Sequence, residues 1–178
     1  MGFRVSWIAF HGIGKSRVLE RMGLRDTGEA DSANEAPLSG ADVPGGWFIL
    51  FSNDFEFISP KRLASLSRDC RVVACQVHEG VMFSRAFFYE RGVSSCEIAH
   101  EAADKGIYDL AISGSPPPEF QSVHDRLMRE QEQDGGEDAE VDHIFDIPVE
   151  TVAAICGYRH DQGKFDWGEP QFSRLEFQ

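Results

Sequence analysis

Apolar residues follow two rhythms along this 178-residue chain. Short unbroken runs of aromatic and β-branched residues mark strands. Val5 to Phe10 predicts a first strand, and Trp47 to Phe51, bounded by Gly45-Gly46 and Asn53-Asp54, predicts one buried on both faces. Elsewhere the spacing is helical. Val18, Leu19 and Met22 share one face and stop at Gly23 with Leu24 following, a pattern that suits a Schellman cap. Ser59-Pro60 starts a second helix, with Leu63 and Leu66 on its apolar side. Phe120, Val123, Leu127 and Met128 predict an amphipathic helix from about Pro118 to Gln133. Pro148 opens a last helix that turns Val149, Val152 and Ala153 inward and ends at Gly157.

Between these helices lies a β-rich block. Arg71 to His78, Val81 to Glu90 and Val93 to His100 are separated by Glu79-Gly80 and Arg91-Gly92, spacings that predict tight hairpins. In the middle strand Val81, Phe83, Phe87 and Tyr89 point one way, and Met82, Ala86 and Phe88 the other, so one face receives the helices. Ile107 to Ser113 reads as a further strand and Ile144-Phe145 as a short one. The sum is a single α+β domain over residues 1–178, with a mainly antiparallel sheet of five to seven strands and about four helices. Residues 27–45 and 134–140 are rich in Gly, Ser, Asp or Glu and read as flexible loops. The tail, residues 160–178, carries Phe165, Trp167, Phe172 and Phe177 and is expected to pack on the domain.

Charge changes the picture. The net charge is −13, and residues 1–89 balance ten acidic with ten basic side chains, so the whole excess lies in the second half. Such a chain repels nucleic acid unless a basic face is segregated. No stretch of 18 apolar residues and no basic leader with a long apolar core is present, so a soluble cytoplasmic protein without membrane contact is expected. The densest acidic run is Glu130, Glu132, Asp134, Glu137, Asp138, Glu140, Asp142 and Asp146, with no Lys or Arg between them. It reads either as a solvated helix end and loop or as a docking surface for a basic protein.

Catalytic signatures are weak. Gly12-Ile13-Gly14-Lys15-Ser16 follows a strand and opens a helix, as a phosphate-binding loop would, but Ala9 stands where the full pattern needs glycine. An antiparallel block also conflicts with the parallel sheet of such NTPases. Cys70, Cys75, Cys96 and Cys156 form no C-x-x-C pair and read as buried hydrophobes. Cys96 with His100, or His143 with Asp142 and Asp146, lacks the second close ligand pair of a structural zinc site. No catalytic residue, cofactor or metal is therefore expected. Asn53 and Asp54, following a buried strand, form the best-placed polar turn, and a pocket near Trp7, Asn53 and Asp54 is the alternative site.

Val5-Ser6-Trp7-Ile8-Ala9, Leu24 to Glu29, Gly46-Trp47-Phe48 through Asn53-Asp54, Val73-Ala74-Cys75-Gln76 and Ile144 to Val149 together resemble an uncharacterised family of small bacterial cytosolic proteins, over roughly residues 4 to 161. That resemblance implies no catalytic residues. The overall profile is also similar to that of immunity proteins against antibacterial toxins, which implies a non-enzymatic inhibitor that uses an acidic surface against a basic toxin or effector domain. The alternative is a small enzyme or ligand-binding domain.

Overall fold

A computed structural model describes residues 2–178. Its framework is a fully antiparallel sheet in the order β2-β9-β3-β4-β1-β5-β6-β7-β8. The strands are β1 (Arg4–His11), β2 (Leu24–Ala30), β3 (Leu38–Val43), β4 (Trp47–Ser52), β5 (Arg71–His78), β6 (Phe83–Glu90), β7 (Val93–Glu101), β8 (Ala111–Gly114) and β9 (Ser173–Phe177). Five α-helices complete it: α1 (Lys15–Met22), α2 (Pro60–Leu66), α3 (Ala102–Lys105), α4 (Phe120–Gln133) and α5 (Asp146–Cys156).

The α+β class holds, but five to seven strands and four helices is too few. Among the described residues there are nine strands and five helices. The missed strands carry little apolar pattern of their own. β2 and β3 lie largely in the segment expected to be a loop, and β9 comes from the tail to pair with both. A strand whose partners lie about 150 residues away leaves no local signal. Residues 102–105 form the extra helical turn, and the strand expected from Ile107 to Ser113 is instead Ala111–Gly114, preceded by a turn in which the Asp109 amide donates to the Gly106 carbonyl. Ile144 and Phe145 are not a strand. They belong to the turn that opens α5, where the Asp146 and Ile147 amides donate to His143 and Ile144 carbonyls. Residues 134–140 include a short 3-10 turn, Gly136–Asp138.

The helices cover both faces of the sheet, not one. β1 is the centre, with β4 and β5 on its edges. Val5, Trp7 and Ala9 point to a layer made by α4, α5, Tyr158 and Phe172. Ile8 and Phe10 point to the opposite layer, where α1 and α2 contribute Val18, Leu19, Leu63 and Leu66. The same alternation runs through β4, β5 and β6, which is why these strands read as continuous apolar runs. Gly40 in β3 is a close approach: a Cβ there would lie 2.6 Å from Cζ of Phe48. Gly23 sits at φ +64 and closes α1 by donating its amide to Glu20 and Leu19 carbonyls.

All four cysteines are free and buried. Burial raises each thiol pKa, well above the ordinary value for Cys75 and up to about 12 for Cys156. Since the thiolate is the reactive form, mild alkylation near neutral pH is expected to leave all four unmodified in the native protein and to label them in denaturant. Mass spectrometry reads the difference. Labelling of native Cys75 at the rate of a free thiol would contradict it.

Candidate functional site

The eight carboxylates of the acidic run separate into two groups. Glu130 meets Arg126 at 3.2 Å, one turn earlier on α4. Glu132 accepts from the Tyr108 hydroxyl, and Asp134 meets His143 Nε2 at 2.5 Å. Asp142 accepts from the Phe145 amide at 3.0 Å and meets His100 Nε2 at 2.9 Å. Asp146 accepts from Arg159 at 3.2 Å, and burial nevertheless raises its pKa. These five are engaged within or between α4, α5 and the neighbouring turns, and Asp142 ties them to the sheet through His100 on β7. Glu137, Asp138 and Glu140 are exposed, and among the described residues none makes a side-chain hydrogen bond or ion pair with them.

A buried amide holds this exposed trio in place. Gln131 is fully buried on the inner side of α4. Its Nε2 donates to the Gly136 carbonyl at 2.8 Å, and its Oε1 accepts from the His143 amide at 2.8 Å. Both ends of the acidic turn are thus tied to one side chain. A second tie comes from His100, whose Nδ1 lies 2.6 Å from the Asp109 carbonyl and Nε2 2.9 Å from Asp142. Both ring nitrogens face acceptors, an arrangement that favours the doubly protonated imidazolium. Burial pulls the His100 pKa down, but the bonds to Asp142 and Asp109 outweigh it and the net shift is upward. With both nitrogens engaged, His100 has none left to activate a nucleophile, and neighbouring Ser84 donates its hydroxyl to the Phe145 carbonyl.

The other candidates resolve into structural parts. Lys15 pairs with Asp26, so the amine of the glycine-rich turn is already engaged. Asp54 caps a 3-10 turn through the Glu56 amide, while the Asp54 carbonyl accepts from Ser6. Asn53 donates to the Asn34 and Ala36 carbonyls at 2.7 Å each, pinning the 31–37 segment. Among the described residues no group of three or more His, Cys, Asp or Glu side chains is placed to hold a metal ion, and no helix is long and apolar enough to cross a membrane.

A cleft of about 400 Å³ opens beside Asn53. Its walls include Phe3, Asn34, Tyr158, His160 and Glu169. Trp7 is fully buried behind it and stacks on His160 with ring centroids 5.0 Å apart, whereas Asp54 lies outside. The pocket expected near Trp7, Asn53 and Asp54 therefore touches this cleft through Asn53 and rests on Trp7. Tyr158 and His160 escaped the sequence reading because they belong to the stretch after α5, which has no period. Their only signal is a tyrosine and a histidine closely following a helix-ending glycine.

Compared with known protein families, curated proteins and solved structures, the chain matches none.

The His100 pair has a pH signature. Its folded pKa is raised, so its stabilisation is full below the ordinary histidine value and fades as pH rises through the folded value. His160, with its pKa lowered mainly by burial, acts in the opposite sense and below that range. Asp142→Asn is expected to cost roughly 2–3 kcal/mol near neutral pH. It should also flatten the loss of stability on the alkaline side, as read by urea unfolding from acid to alkaline pH. An unchanged slope would sink the assignment.

Proposed function

We propose that the protein is a non-enzymatic binding protein, most concretely an immunity-type inhibitor that neutralises a toxin by docking an acidic loop on its basic surface. One observation carries this reading: Glu137, Asp138 and Glu140 are exposed and unpaired on a turn clamped at both ends by buried Gln131. Held in one arrangement, the three carboxylates need little further ordering on binding. Their field raises the encounter rate with a cationic surface and disfavours anionic partners, nucleic acid included. The five carboxylates engaged internally contribute to position rather than contact.

The competing reading, a small enzyme or ligand-binding domain, has weaker support as an enzyme. His100 is engaged at both nitrogens and the thiols are held protonated by burial. Neither offers an activated nucleophile.

The test is the triple variant Glu137→Gln, Asp138→Asn, Glu140→Gln, which leaves Asp142 with His100. Its melting temperature should be equal to or slightly above that of the parent, because mutual repulsion falls. Its association with a basic toxin domain that the parent binds should slow by about tenfold at low salt, with a smaller difference at high salt. Stopped-flow measurement of the complex reads both. An association rate and salt dependence equal to the parent's would refute the proposal.

A further inference from the structure

The stretch that follows α5 is held by side chains rather than by backbone. Among the described residues, no backbone–backbone hydrogen bond involves residues 159–164. Arg159 ties the start of the stretch to Asp146, Glu150 and Asp161, and beyond its end Trp167 Nε1 donates to the Gly157 carbonyl at 3.4 Å. Asp161, Gln162, Gly163 and Lys164 are exposed, which leaves His160 as the one buried residue of the six. A segment with so few backbone bonds opens locally unless a buried side chain anchors it.

The His160 ring is that anchor. Its side chain is 1% exposed, stacks on Trp7 with centroids 5.0 Å apart and meets Phe3 edge-on at 4.8 Å. Neither ring nitrogen has a hydrogen-bond partner, and neither has the Trp7 indole N–H. The neutral ring fits this aromatic slot at the expense of one unmet donor and one unmet acceptor, whereas the imidazolium brings two donors and a charge. Glu79, in the turn after β5, holds Oε1 3.8 Å from His160 Nε2, while its Oε2 accepts from the Phe3 amide at 2.8 Å. Arg159 and Asp161, on the ring's own stretch, bind each other, and the α5 carboxylates Asp146 and Glu150 engage Arg159. Trp7 on β1 and the preceding Phe3 carry no charge. Glu79 could therefore serve one imidazolium N–H, and the other would stay buried without an acceptor. That cost exceeds the attraction of a cation to the indole face. Burial accordingly lowers the His160 pKa, with Asp161 and Glu79 offsetting it only in part.

Space for the charged ring lies next door. Tyr158 and residues 160–163 form one wall of the cleft of about 400 Å³, and Glu169 belongs to the same cleft. Turned outward with its stretch, an imidazolium reaches water at both nitrogens and lies nearer to the Glu169 and Asp161 carboxylates.

We propose that His160 is an acid-operated latch: neutral, it closes residues 159–164 on Trp7, and protonated, it leaves Trp7 and lets that stretch open into the cleft while the sheet stays folded. The latch is separate from the acidic loop and does not rest on the inhibitor reading. His100, bonded at both nitrogens and with its pKa raised, keeps its proton as the latch opens.

The experiment is two-dimensional NMR of the isotope-labelled full chain, titrated from about pH 7.5 to about pH 4.5. The His160 ring should become charged at a midpoint below the ordinary histidine value. At the same midpoint the nuclear Overhauser contact between the His160 and Trp7 rings should vanish and the amide signals of residues 159–164 should shift. Signals of β5 and β6 should remain those of the folded protein. In His160→Phe, which fills the slot without a titratable group, the contact with Trp7 should persist to the acid end. His160→Gln is the second control, and its 159–164 amides should show no step at that midpoint. The titration of the parent stands by itself if either variant fails to fold. A ring contact retained after His160 is charged would overturn the proposal, because Glu79 would then have closed on the ring in place. So would a step at the parent's midpoint in a folded variant, or loss of the β5 and β6 signals in the same step. A His160 ring still neutral at the pH where the sheet itself unfolds would overturn it as well.

Discussion

β1 has no free side. Strands flank both of its edges and helices cover both of its faces, so residues from Val5 to Phe10 are all buried. A sheet buried this way leaves polar side chains few places at its centre, and apart from the Trp7 indole N–H, which has no partner among the described residues, those named here are bonded. Ser6 reaches the Asp54 carbonyl, Gln76 the Phe55 carbonyl at 2.8 Å, and Ser84 the Phe145 carbonyl at 2.7 Å. Each of these buried hydroxyls or amides positions a covering turn against the sheet. Satisfying a polar atom inside the sheet is thus the device that places what lies outside it.

The covering layer of α4 and α5 is held by charge as well as by apolar contact. Arg126 on α4 reaches Glu150 on α5, and Glu150 also meets Arg159, which reaches on to Asp146 and Asp161. The guanidinium of Arg159 is drawn above its ordinary pKa by these carboxylates even though burial opposes it. A broken link would leave a partly buried charge uncompensated, which is costlier than losing the attraction alone. The network also sets the start of the stretch containing Tyr158 and His160, so the cleft inherits its back wall from the helix pair.

Legibility in the sequence followed distance along the chain. β1, β4, β5 and β6 carry their own apolar runs, and α1, α2, α4 and α5 their own periods and caps, so local residues sufficed. β2, β3 and β9 are defined by one another across the fold: Asp26 opposes Leu175, and Gly40 opposes Ser173. Nothing within either segment announces that. The acidic run was visible as charge, but its division into five fastened and three free carboxylates depends on His100, Tyr108 and Arg159, which approach from other elements. The cleft was half visible for the same reason. Asn53 follows a conspicuous strand, while His160 matters only because it lies on Trp7.

Register brings the remaining features into relation. Arg4, His78, Phe83 and Glu101 lie opposite one another in one row across β1, β5, β6 and β7. The cleft, beside Phe3, and the acidic loop, tied to His100, therefore share one end of the sheet, separated by about 14 Å of strand spacings. Glu79, Glu101 and Asp104 belong to that end too. At the other end His11, Arg71 and Glu90 form the corresponding row, and Arg68 and Arg91 join them around a shallow depression. Asp69 and Glu90 stand among Arg68, Arg71 and Arg91 there, while Glu79, Glu101 and Asp104 share the first end with Arg4, so the two ends differ in charge balance. A cationic surface approaching such a molecule is turned toward the acidic end before contact, whereas an evenly spread −13 would attract without orienting.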